Sequence, residues 1–143
     1  MDLNQHKSGT HIMVVEDNEA DIFILQEIFN EVGLNEKLSI ARNGAEAIDM
    51  VLNAEEMPDI IFLDINLPKK NGFEVLETLK SHPKSQCIPI IMLTTSTASR
   101  DIEKAYRLHA NSYLSKANSV DELIDKFNRF KNYWIDNCHL PLD

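Results

Sequence analysis

Five side chains stand out because each directly follows, or closely follows, a short apolar run. Glu16 and Asp17 follow His11-Ile-Met-Val-Val15, and Asp64 follows Asp59-Ile-Ile-Phe-Leu63. Thr94, with Ser96 just after, follows Pro89-Ile-Ile-Met-Leu93, and Lys116 closely follows Ser112-Tyr-Leu114. Three carboxylates, a hydroxyl and an ammonium gathered in one place favour phosphoryl chemistry. Crowded carboxylates repel one another at neutral pH. A hard divalent cation such as Mg²⁺ relieves that repulsion; it prefers oxygen ligands and is often shared with a phosphate. A carboxylate can attack phosphorus directly. What such a transfer asks of a protein is in-line positioning and neutralisation of charge on the equatorial oxygens. In this reading Asp64 attacks, Asp17 assisted by Glu16 holds Mg²⁺, and Lys116 and Thr94 each bind one phosphoryl oxygen. Taken singly, each residue has a plainer role: a solvated acidic pair, a turn aspartate, a turn hydroxyl, a surface lysine. Their recurrence at successive strand ends favours the joint reading.

The elements that must bring them together are legible as an alternation. Continuous apolar runs of this length suit strands buried on both faces, and Leu38-Ser-Ile-Ala41 is a weaker fifth. Helical periods lie between and after them. Ile22, Leu25, Ile28, Phe29 and Val32 share one face, with Asn18 as N-cap and Gly33 closing the helix. Ala47, Ile48, Val51 and Leu52 form the next; Val75, Leu76 and Leu79 the third, ended by Pro83; Ile102, Ala105 and Tyr106 the fourth; Val120, Leu123, Ile124 and Phe127 the fifth. Five strands alternating with five helices predict an α/β fold with a doubly wound five-stranded parallel sheet, covered by helices on both faces. In such a sheet the ligand site lies beyond the carboxyl ends of the strands, where the five polar residues fall.

Bulk properties bound the alternatives. A chain of 143 residues with 43% hydrophobic and 26% charged residues suits one packed domain. We expect residues 1–10 to form a flexible tail, 11–137 the domain and 138–143 a C-terminal tail. A net charge of −9 argues against a nucleic-acid surface. No apolar run approaches the ~20 residues of a membrane helix, and no signal region opens the chain, so a cytoplasmic location is expected. Cys87 and Cys138 lack CxxC spacing and read as reduced thiols. His109 reads as a helix-end residue, and Lys69 and Lys70 as solvated loop lysines that could also help dock an acidic partner.

The sequence resembles bacterial response-regulator receiver domains from about His11 to Trp134. The resemblance is carried by Val14-Val-Glu-Asp17, Ile61-Phe-Leu-Asp-Ile-Asn-Leu-Pro68, Asn71-Gly72, Leu93-Thr-Thr95 and Tyr113-Leu-Ser-Lys116. Thr94 lies 30 residues after Asp64 and Lys116 lies 52 after it, as the family pattern requires. The resemblance implies a flavodoxin-like strand order 2-1-3-4-5. It makes Asp64 the phospho-acceptor, Glu16 and Asp17 the acidic pair, and the backbone carbonyl of Asn66 a further Mg²⁺ ligand. Thr94 becomes the switch hydroxyl and Tyr113 the aromatic that swings inward behind it, while Asn66 and Ser96 tune the lifetime of the aspartyl phosphate. Leu67-Pro-Lys-Lys-Asn-Gly72, Leu93-Thr-Thr-Ser96 and the ending Tyr133-Trp134…Leu140-Pro141 look most like the small single-domain regulators associated with bacterial phytochromes. That implies a sensor histidine kinase of phytochrome type as partner, a possible homodimer, and a downstream protein or phosphotransfer partner.

The pattern breaks at one residue. The family usually places proline, in a cis bond, after the active-site lysine; here Ala117 follows Lys116. A cis bond there costs ~2.5–4 kcal/mol, and the expectation is that it is retained.

No output module is recognisable after the fifth helix, so the chain is expected to signal by conformational change or phosphorelay, and to catalyse only its own phosphorylation and dephosphorylation. Phe130, Tyr133, Trp134 and Ile135 add a second apolar set to the last helix. Either Trp134 and the Leu140-Pro-Leu142 tail fold back on their own domain, or they form a dimer or partner surface. Two rival functions are weaker. An aspartate-nucleophile phosphatase or phosphomutase needs a second Asp two residues after the nucleophile, where Asn66 stands. A phosphorylation-independent interaction module would have a decayed site, against which the intact Asp17, Asp64, Thr94 and Lys116 argue.

Overall fold

The computed structural model describes residues 9–116 and 119–141. The expected bond between Lys116 and Ala117, most of the expected N-terminal tail, and Leu142 lie outside the described residues.

Strands β1 (His11–Val15), β2 (Lys37–Ala41), β3 (Ile60–Leu63), β4 (Ile90–Thr94) and β5 (Ser112–Ser115) form one sheet, in the order β2-β1-β3-β4-β5. All neighbouring pairs are parallel. The helices are α1 (Glu19–Val32), α2 (Gly44–Leu52), α3 (Gly72–Ser81), α4 (Ser99–Arg107) and α5 (Val120–Phe130), and α5 runs on into a π-helical turn over Lys131–Ile135.

Strand alternation splits the core in two. Ile12, Val14, Ile60, Phe62, Ile91 and Leu93 face α1 and α5. Met13, Val15, Ile61, Leu63, Ile90 and Met92 face the side of α2, α3 and α4. Both layers are buried, which explains why these strands read as unbroken apolar runs rather than alternating ones. On the α1/α5 side Phe127 packs edge-on to Phe29 and Phe62, with centroids 4.8 and 5.3 Å away.

Local chemistry sets the helix ends. Asn18 caps α1, its side chain accepting from the Asp21 N–H, and Gly33 closes it at φ 82°. Asn71 and Glu74 form a reciprocal capping box on α3. That helix stops at His82, which is extended because Pro83 follows. His109 sits just past α4 at φ 76°, a helix-end residue as expected.

Two expected core residues are exposed instead. Tyr106 is 49% exposed because α4 buries only Ala105, flanked by the half-buried Ile102, so a residue one position further round lies at the helix edge. Val120 is also 49% exposed because it opens α5 at the rim of the α1/α5 groove. Of the two readings for the C-terminal segment, folding back holds for Trp134 and Leu140, which pack against the α1/α5 core layer. Trp134 stacks on Phe130 at 6.3 Å, while Tyr133 remains 60% exposed.

Candidate functional site

The site forms where the sheet runs out. After β1 the Glu16 N–H donates to the Ala41 carbonyl, after β3 the Asp64 N–H donates to Val15, and after β5 the Lys116 N–H donates to Thr94. The backbones of all three residues are therefore fixed by one last bond across the sheet. The crevice lies between β1 and β3, where the chain reverses its direction of winding, as expected of a doubly wound sheet.

Lys116 is the hub. Its Nζ lies 2.6 Å from Glu16 Oε1, 3.0 Å from Asp21 Oδ2 and 3.2 Å from Asp64 Oδ2. An ammonium has three donors, and these three carboxylates take one each. Glu16 is 2% exposed and Asp64 7%, so both carboxylates sit out of bulk water. Burial alone would lower the Lys116 pKa, but the Glu16 hydrogen bond, the Asp64 charge and the Asp21 hydrogen bond outweigh it and hold the ammonium well above the usual lysine range. Burial pushes the Glu16 carboxyl up; the Lys116 hydrogen bond opposes this and the Asp64 charge reinforces it. The second Glu16 oxygen accepts from the Asn18 N–H at 3.1 Å. Asp64 Oδ1 accepts from the Ile65 N–H at 2.7 Å, which fixes the carboxylate plane.

The loop after Asp64 is clamped from both sides. A Cβ on Gly72 would fall 2.1 Å from the Asp64 carbonyl oxygen, and one on Gly44 would fall 1.9 Å from the Lys70 carbonyl oxygen. Within the loop Lys69 adopts φ 69°, and the Gly72 N–H donates to Ile65 at 2.8 Å. The Asn71-Gly72 pair thus performs two tasks: it caps α3 and allows that helix to approach the Asp64 backbone.

The opposite wall is held by side chains. Thr94 is fully buried at the end of β4, with its Oγ1 3.5 Å from the Ser96 N–H. The Ser96 hydroxyl donates to Asp101 at 2.6 Å, and the Tyr113 hydroxyl donates to the Ser96 carbonyl at 2.9 Å. Burial raises the Tyr113 pKa, the Ser96 bond offsets part of it, and the Asp101 and Asp64 charges add to the rise.

Glu16, Asp64 and Lys116 thus converge as the sequence predicts, and Thr94 stands at the end of the neighbouring strand β4. Asp17 and Asn66 are exposed at the mouth. Among the described residues no three Asp, Glu, His or Cys side chains are arranged to hold a metal ion. Both Glu16 oxygens accept hydrogen bonds, one from Lys116 and one from the Asn18 N–H, as both Asp64 oxygens do from Lys116 and the Ile65 N–H. The oxygen-only donors still match a hard divalent cation: the carboxylates of Asp17 and Asp64, and the Asn66 carbonyl. Asp21 is the participant that sequence reasoning missed. The available signal was its place three residues after the N-cap Asn18, which turns its side chain back over the helix start.

Comparison with known proteins agrees with this geometry. The model of the response regulator receiver domain matches residues 12–128. Response regulator Rcp1 of Synechocystis is 35% identical over 135 residues, which cover 91% of this chain and 92% of that protein. The probable methanogenesis regulatory protein FilR2 of Methanothrix harundinacea is 35% identical over 128 residues, covering 87% of this chain and 83% of that one. The crystal structure of the phosphorylated cyanobacterial phytochrome response regulator RcpA superposes with a TM-score of 0.87 at 34% identity, covering 94% of this chain and 99% of that one. The Mn²⁺-bound form of Rcp1 superposes with a TM-score of 0.84 at 34% identity, covering 92% and 99%. The strand order, the strand-end constellation and these likenesses agree, and the chain belongs to the response regulator receiver domain family.

Proposed function

We propose that this protein is a phosphoryl-accepting signalling receiver whose acceptor is Asp64. The observation that carries the reading is the buried Asp64 carboxylate with the Lys116 ammonium 3.2 Å from Oδ2 and the buried Thr94 hydroxyl on the neighbouring strand. An Asp64 oxygen attacks the donor phosphorus, the bond from phosphorus to the donor's nitrogen or oxygen breaks, and the donor leaves with the electron pair. Lys116 shifts a donor N–H to a phosphoryl oxygen, and Thr94 donates its hydroxyl to another. Asp17, Asp64 and the Asn66 carbonyl are the groups suited to hold Mg²⁺, which supplies charge neutralisation on the phosphoryl oxygens when bound. As Thr94 turns toward the phosphoryl group, the β4–α4 segment follows; Tyr113, bonded to the Ser96 carbonyl, follows it inward. Asn66 and Ser96, flanking the path of an attacking water, set the lifetime of the acyl phosphate. The chain turns over no other substrate.

The likeness to the phytochrome response regulator RcpA supports a sensor histidine kinase of phytochrome type as donor, and we place the proposed reaction in the cytoplasm. Among the described residues no helix is long and apolar enough to cross a membrane. Output then passes to a downstream protein or phosphotransfer partner, with a homodimer as one form of the surface that changes. Intact mass after incubation with acetyl phosphate, with and without Mg²⁺, tests the core of the reading. A metal-dependent gain of one phosphoryl group that Asp64→Asn abolishes is expected. No gain with acetyl phosphate or with any phytochrome-type kinase would favour a phosphorylation-independent module instead.

A further inference from the structure

The proposed reaction requires Lys116 to bind a phosphoryl oxygen, yet all three of its donors are already engaged. One carboxylate must yield before the ammonium can help the transfer. Glu16 is poorly placed to do so: its side chain is 3% exposed and its other oxygen is tied to the Asn18 N–H. Asp64 is the acceptor itself and holds the longest of the three contacts. Asp21 is different. Its side chain is 40% exposed, its release exposes it to water at little cost, and its position is set by the Asn18 cap. It lines, with Lys116, one end of a cavity of about 260 Å³ that opens between α1 and α5 past Ile24 and Val120. The Asp21 carboxylate, 3.0 Å from the Lys116 Nζ, therefore sets a negative charge beside the ammonium that the phosphoryl group must reach.

We infer that Asp21 is a positioning residue that draws Lys116 away from Asp64 and so restrains phosphoryl uptake. The inference rests on the proposed role of Asp64 as acceptor. Asp21 does this twice over: it occupies one N–H of Lys116, and it repels an anionic donor at close range.

The test compares wild type, Asp21→Asn and Asp21→Ser in the rate of phosphoryl uptake from two small donors in Mg²⁺. Acetyl phosphate is a dianion near neutral pH, and phosphoramidate is largely a monoanion. Glu31→Gln, exposed at the far end of α1, changes the net charge by the same unit and serves as the control. Both Asp21 variants should take up phosphoryl groups on the order of fivefold faster from acetyl phosphate, less so from phosphoramidate, with the gain shrinking as salt rises. Asp21→Glu should restore slow uptake, and thermal melts should show all variants folded. Uptake by the Asp21 variants that is equal to or slower than wild type overturns the inference while leaving Asp64 as acceptor. A gain matched by Glu31→Gln overturns it too, since net charge alone then suffices. Absence of uptake by every chain overturns the acceptor reading, and the inference with it.

Discussion

Replacing Lys116 with methionine keeps the length of the side chain and removes its charge. Three carboxylates then lose their shared donor. The Asp21 contact is half in water and contributes little. The Glu16 and Asp64 side chains are 3% and 9% exposed, and each loses a charge-assisted hydrogen bond of roughly 1.5 kcal/mol. The expected loss near pH 8 is therefore about 3 kcal/mol, the low end for stranding a buried ion. That corresponds to a melting temperature lower by roughly 10 °C. The pH dependence gives a sharper check. In the wild type Lys116 is held above its ordinary 10.5, so its contribution is complete at and below that value and constant through the neutral range. Glu16 is already raised above 4.5 by burial, and loss of Lys116 raises it further. A carboxyl raised in the folded state binds a proton on folding, so the folded variant gains stability as pH falls through the range above 4.5. The deficit should therefore shrink steadily as pH falls from about 8 toward the range just above 4.5. Denaturant titrations in chelator would measure both. A deficit under about 1 kcal/mol at pH 8, or one that grows on acidification, would refute the view that Lys116 is the counter-charge of a buried carboxylate cluster.

Other outcomes follow from single contacts. Gly72→Ala places a methyl 2.1 Å from the Asp64 carbonyl oxygen and should cost more than about 3 kcal/mol by denaturant titration, or displace the loop after Asp64 visibly in amide NMR shifts. Asn71→Ala removes one half of the capping box on α3 and should cost about 1 kcal/mol, with faster amide exchange confined to the first turn. Phe127→Ala opens a hole among Phe29, Phe62 and Phe130 and should cost about 4 kcal/mol, with a loss of near-ultraviolet circular dichroism.

The architecture was legible because the sheet is buried on both faces, so that β1, β3 and β4 appear as uninterrupted apolar runs that helical periods separate. Strand edges shifted by a residue or so, as at Ile60 and Ile90, where the preceding Asp59 and Pro89 bond outside the strand. What periodicity could not convey was depth at the ends of elements: Tyr106 and Val120 keep the helical spacing of buried residues, yet no neighbouring layer reaches them. The strand-end residues of the site were likewise legible, since a parallel sheet puts every strand terminus at one edge. Orientation was not. Nothing in the spacing of Glu16 says that one of its oxygens turns to Lys116 and the other to the Asn18 N–H. Nor does Asp21 announce itself, because its approach to Lys116 spans 95 residues of sequence and depends on how the first turn of α1 is capped. The π-helical turn at Lys131–Ile135 is also silent in the sequence; it lets Trp134 lie along Phe130.

The two walls of the site differ in kind, and this has a mechanical consequence. The wall carrying Asp64 is backbone wedged against backbone, with no room even for a methyl group at Gly44 or Gly72. Past Thr94, which the sheet holds by its backbone, the Ser96 segment is tied to its surroundings through the Ser96 and Tyr113 hydroxyl hydrogens, which can let go and re-form. The site is thus built like a vice with one fixed jaw: in the proposed reaction Asp64 keeps its address, and the travel falls to the segment past Thr94. Under that proposal, substitutions on the surface around the Ser96 segment should alter what the travel is read by while leaving the Asp64 geometry in place.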